Sequence, residues 1–94
     1  MALMNSPKTL ENAEILALTG LEWLVGEQDG IQRFLDQSGT DASALREAAG
    51  SPEMAVAVLD FLLTNEDLLL RFCENATISP KELHLARYRL GGTL

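Results

Sequence analysis

An all-α fold, a compact bundle of five or six short helices, is predicted by three features of this 94-residue sequence. Leu (18) and Ala (11) fill nearly a third of the chain, while Val and Ile contribute three each. Straight-chain and small residues lose little freedom in a helix, whereas β-branched ones favour strands. Apolar residues recur at three- and four-residue steps, the period of a helix with one buried side. Helix starts (Ser-Pro, Asp) alternate with Gly stops at helix-length intervals. Aromatics make up only 5% of the residues, so the core must be aliphatic, and the length supports one domain.

The helices follow in order. Ser6 caps and Pro7 opens the first; Leu10, Ala13, Ala17, Leu18, Leu21, Leu24 and Val25 form its apolar side, and Gly26 ends it. A short segment, Asp29 to Gln37, places Ile31, Phe34 and Leu35 together and stops at Ser38-Gly39. Asp41 caps Ala42 to Ala49, closed by Gly50. Ser51-Pro52 opens a fourth helix reaching Leu63 or Thr64, and Asn65, Glu66 and Asp67 cap a fifth ending near Asn75. Ser79-Pro80 opens the sixth, which stops at Gly91-Gly92. Connections of two to five residues suit neighbours in a bundle. Residues 1–6 are expected to be a disordered tail and 7–92 a single helical domain.

Shifting the chain by 38 residues aligns 21–45 with 59–83. Six of twenty-five positions are identical: Leu21/Leu59, Leu24/Leu62, Asp29/Asp67, Arg33/Arg71, Phe34/Phe72 and Leu45/Leu83. Caps, turns and charges align with no gap. This predicts two copies of a helix–short helix–helix unit, each covering the apolar side of the other; the coincidence of two similar amphipathic helices is the alternative. By the same offset Cys73 stands where the first copy has Leu35, which reads as core packing rather than as a nucleophile. Trp23 and Phe61 correspond and read as core. Asp29 and Asp67 each precede an Arg by four residues, so Asp29–Arg33 and Asp67–Arg71 are candidate helical ion pairs. His84 corresponds to Arg46 and reads as exposed, without a partner for catalysis. Gly30 and Gln32 become Leu68 and Leu70 in the second copy. These two leucines, surplus to the shared pattern, either pack on the first helix or form an exposed patch for a partner or a second copy.

Seven basic and fourteen acidic residues give a net charge of −7. An acidic surface repels phosphate backbones and anionic lipid heads, so neither nucleic acid nor membrane is expected as a partner. One Cys makes no internal disulfide, and one Cys with one His cannot supply four zinc ligands, so no cofactor or metal is expected. No phosphate loop, nucleophile elbow or His-Glu zinc pattern occurs. The acids are spaced like a solvated helix face. Asp60, between Leu59 and Phe61, is the nearest to a carboxylate in an apolar setting and reads as exposed or locally paired. Asn75-Ala76-Thr77 matches the glycosylation pattern, but no secretory signal is seen, and a cytoplasmic location is expected. The one basic region is residues 81–94, where Lys81, Arg87 and Arg89 against Glu82 give +2. Cations at a helix end complement its dipole; docking on an acidic partner or phosphate is the functional alternative.

The run Val58-Leu59-Asp60-Phe61-Leu62-Leu63, followed by Asn65-Glu66-Asp67, Leu68-Leu69-Leu70-Arg71-Phe72-Cys73 and Ser79-Pro80-Lys81-Glu82-Leu83, resembles a family of small bacterial helical proteins catalogued as domain of unknown function 3572. The resemblance spans about Glu11 to Leu90. Ser79-Pro80 stands where Asp-Pro is expected; both start helices well. The resemblance implies a small cytosolic all-helical protein and carries over no activity, cofactor or catalytic residue. The expected function is a protein-interaction or regulatory module without catalysis, acting on an unknown protein partner or as a homodimer through Leu68 and Leu70. The alternative is a small-ligand binder or minor enzyme with a pocket between the halves, using Asp60 or Arg71.

Overall fold

The computed structural model describes residues 7–91, and among them it forms six helices and no strand. They are α1 (Pro7–Val25), α2 (Gln28–Ser38), α3 (Ala42–Ala48), α4 (Pro52–Thr64), α5 (Glu66–Ala76) and α6 (Pro80–Arg89). Ser6, the tail 1–6 and Gly92, all given roles above, lie outside the described residues. Local chemistry sets the starts. The Asp41 carboxylate accepts from the Ala44 N–H at 2.8 Å and the Ser51 hydroxyl from the Met54 N–H at 3.1 Å. The Glu82 carboxylate reaches back to the Ser79 N–H at 2.9 Å. Each satisfies a donor that the first helical turn leaves without a partner.

Two helices end through left-handed residues. Gly39 (φ 71°) closes α2 and Thr77 (φ 58°) closes α5. In both, the next N–H bonds back into the helix: Thr40 to the Leu35 carbonyl at 3.2 Å and Ile78 to the Cys73 carbonyl at 3.0 Å. Glycine adopts this conformation freely, but a β-branched side chain meets the carbonyl ahead of it. The Thr77→Gly variant should therefore gain up to about 1 kcal/mol, the relief of about 1–2 kcal/mol of left-handed strain less the extra entropy of an unfolded glycine. Thermal unfolding followed by circular dichroism checks the sign; a lower midpoint would show that Thr77 is held by contacts that offset its backbone.

The interior is a single apolar core in which all three phenylalanines are buried with the aliphatic residues, rather than the purely aliphatic core expected. Leu24, Phe34, Val58, Leu59, Leu62, Leu68, Phe72 and Leu83 are its most deeply buried side chains. Helix α4 is its spine, burying Met54, Ala55, Val58, Leu59, Phe61 and Leu62. Helix α6 packs along both α1 and α4, whereas the main contact of α3 is with α4. Gly20 permits the α1–α4 approach, since a Cβ there would lie 3.1 Å from Leu62 Cδ1 and 3.4 Å from Val58 Cγ1.

Several features recur at the 38-residue interval. Helices α2 and α5 are both 11 residues long and begin 38 apart, α3 and α6 also begin 38 apart, and so do the left-handed caps. The matched aromatics do not share one environment. Trp23 is half-buried, with its ring centroid 5.6 Å from that of Phe72; Phe61 is buried edge-on to Phe34 at 5.2 Å. Each contact joins one half to the other. The third helices differ outright, with 7 residues in α3 and 10 in α6.

Candidate functional site

The charged residues singled out in the sequence lie on the seam between α2 and α5, in a pairing only half as expected. Arg33 donates to Asp29 at 2.8 Å, the predicted pair one helical turn apart. Its guanidinium also clasps both carboxylate oxygens of Asp67, at 3.1 and 3.2 Å, and reaches Asn65 at 3.4 Å. The predicted Asp67–Arg71 pair is therefore not made: Asp67 faces across the seam, where a planar fork matches its two oxygens. Arg71 instead meets Glu27 at 3.2 Å. Hydrogen bonds from Arg33 hold the Asp67 carboxyl below the usual carboxylate range. Both arginines already have carboxylate partners; as largely exposed pairs they add little to stability.

A fourth ion pair corrects two readings. Arg87 Nε donates to Asp60 Oδ1 at 2.6 Å, with the Arg87 side chain only 10% exposed. Arg87 stands in the last turn of α6 as expected, but its guanidinium is taken up by Asp60 rather than left for a phosphate or an acidic partner, and Asp60 is paired with a residue 27 positions away rather than locally. Arg87 Nη1 is buried without a partner. The signal was present in the sequence: Leu83, Ala86, Arg87 and Leu90 fall at i, i+3, i+4 and i+7, so residue 87 shares the apolar side of α6. Of the basic trio, Lys81 remains on the surface.

The two candidate leucines separate. Leu70 is 52% exposed, but Leu68 is 0% exposed, so the two do not form a patch. Leu68 is buried beside Gly30. A Cβ on Gly30 would lie 3.6 Å from Leu68 Cδ2. Cys73 is buried as expected, and desolvation, with Glu82 adding its charge, pushes its thiol up from the ordinary value. A protonated, enclosed thiol is a poor nucleophile. Iodoacetamide should therefore label Cys73 in the folded protein far more slowly than in urea, as read by mass spectrometry over time. Labelling at the unfolded rate would contradict its enclosure. His84 is exposed.

The exposed apolar surface lies elsewhere. Ile15, Leu18 and Val25 on α1 are exposed, although Leu18 and Val25 were expected on its buried side. They edge two adjoining clefts. One, about 150 Å³, runs between α1 and the start of α4, lined by Ile15, Leu18, Leu21, Ala49, Met54 and Val58, with Glu11 and Glu14 at its rim. The other, about 350 Å³, lies among α1, α2 and α3, lined by Leu21, Val25, Ile31, Leu35, Leu45 and Ala49, with Arg46 the charged group among its lining. Leu21 and Ala49 line both, so the two clefts adjoin at these residues. Asp60 and Arg71 line separate open clefts at the seam between the halves, beside Phe34 and Trp23 respectively.

Among the described residues no group of three or more His, Cys, Asp or Glu is arranged to hold a metal, and no helix is long and apolar enough to cross a membrane. A family model described as protein of unknown function (DUF3572) matches residues 10–93. No curated protein and no solved structure matches the chain.

Proposed function

The chain belongs to DUF3572, a family of proteins of unknown function, and we propose that it is a cytoplasmic protein-interaction module without catalysis, docking its partner on the α1–α2–α3 face. The observation that carries this reading is the exposed stripe of Ile15, Leu18 and Val25 beside the two joined clefts. Burial of apolar surface drives most protein association, and contiguous apolar patches on a folded domain mark contact sites. The polar clusters support catalysis less well. Arg33, Arg71 and Arg87 are each engaged by carboxylates of the same chain, and Cys73 is enclosed.

The test is site-specific photo-crosslinking in cells. A benzophenone amino acid replaces Val25 in one variant and Leu70 in another. A discrete crosslinked protein is expected from position 25 and not from position 70. The same products from both positions, or none from position 25, would defeat the reading.

A further inference from the structure

The larger of the two clefts combines an aliphatic wall with a single cation. Leu21, Val25, Ile31, Leu35 and Leu45 line its space of about 350 Å³, and Arg46 is the one charged residue of its lining. Apolar pockets of this size with one placed polar group hold small ligands. Arg46 is exposed in the last turn of α3, and among the described residues it makes no ion pair. Arg33, Arg71 and Arg87, by contrast, each have a carboxylate of the same chain. Glu11 and Glu14 line the smaller cleft instead. Arg46 therefore brings to an apolar cleft a charge that no carboxylate among the described residues pairs.

We propose that this cleft binds a small aliphatic carboxylate, its chain among the side chains of α1, α2 and α3 and its head group on Arg46. The site shares a face with the partner reading above, goes beyond it and does not depend on it. The lining selects the chain. It holds no aromatic ring for stacking and, Arg46 apart, no polar side chain. A hydroxyl or an amide drawn in would give up its hydrogen bonds to water without replacement. The same cost turns away a peptide backbone, whose N–H and C=O groups need partners. A methylene chain has no such groups, and its removal from water is favourable. Arg46 selects the head group. A planar guanidinium donates to both oxygens of a carboxylate, and its single positive charge balances a single negative one. A phosphate monoester carries about −2, and no second cation lines the cleft. The net charge of −7 repels anions at long range, so a preference for an anion here must come from Arg46.

The experiment is isothermal titration calorimetry of the full chain with octanoate, decanoate and dodecanoate, and with decanol and decylammonium as head-group controls, all at monomeric concentrations. Affinity should rise about three- to fourfold for each added methylene that the cleft encloses. Decanoate should bind about three- to tenfold more tightly than decanol. It should also bind more tightly than decylammonium, which the net charge of the chain otherwise favours. Arg46→Gln, an exposed change that spares the core, should bring decanoate down to the level of decanol, and Arg46→Glu should bind decylammonium in preference to decanoate. Val25→Glu, which sets an acid at the edge of the cleft, should abolish decanoate binding. Leu70→Gln, exposed on α5, should change nothing. In NMR spectra of the labelled protein, decanoate should shift the amides of Ile31, Leu35 and Leu45. Equal binding of decanoate and decylammonium to the wild type, a preference that survives Arg46→Gln, amide shifts centred on α5 and α6, or no binding of dodecanoate overturns the proposal. Crosslinking from position 25 tests the partner and this titration tests the carboxylate, so each reading can fail while the other stands.

Discussion

Replacing Leu68 by Ala should cost about 2–5 kcal/mol of unfolding free energy, whereas Leu70→Ala should change it by about half a kcal/mol or less. Leu68 is fully buried on the inner side of α5, beside Gly30 of α2, so its truncation leaves a cavity in the core. Leu70 lies on the outer side of α5 and loses little by truncation. Urea denaturation at neutral pH checks both, with the midpoint moving and the slope unchanged. Comparable losses for the two variants would show that Leu70 is covered in solution.

The second large effect is expected at Gly30. Substitution by Leu places a Cβ 3.1 Å from Leu24 Cδ2 and 3.3 Å from Glu27 Cβ, both tighter than ordinary contact, at a buried position with Leu68 Cδ2 next at 3.6 Å. Overpacking of this kind costs about 1–3 kcal/mol or more. The loss should be coupled to Leu68: the double variant Gly30→Leu with Leu68→Ala should be more stable than the sum of the two single losses, by an interaction energy of about 0.5–3 kcal/mol. Strictly additive losses would mean that the two positions do not compete for one volume.

Range decides what the sequence could and could not disclose. Helix starts were legible because caps are local: Asp41, Ser51 and Glu82 act on donors within three residues. Cys73 was legible as core because an aliphatic residue stands at its offset position. Leu68 was not, because its cover comes from other helices, among them α2 at Gly30, which sequence spacing does not reveal. Read by the offset alone, Leu68 was a surplus apolar residue. Leu70 follows its counterpart Gln32 in being exposed. The docking face escaped the sequence reading for another reason. Helix α1 carries apolar residues on more of its circumference than one buried side can hold. Periodicity groups Leu18 and Val25 with Leu21 and Leu24 but does not say which of them the neighbours cover. Pairing across the seam was invisible too, since the i, i+4 rule describes one helix, while Asp67 faces an arginine from another.

Because α6 is wedged between α1 and α4, the route to the native state is constrained in time. During synthesis, α1 through α5 emerge with Leu24, Val58 and Leu62 still lacking the helix that brings Leu83 and Ala86 to the core. The interior closes only when residues near opposite ends of the described chain meet. Most loop entropy must therefore be spent before the reward arrives, which slows folding relative to bundles built from sequential neighbours. A nascent chain halted before Ser79 would expose sticky surface to whatever chaperone attends it.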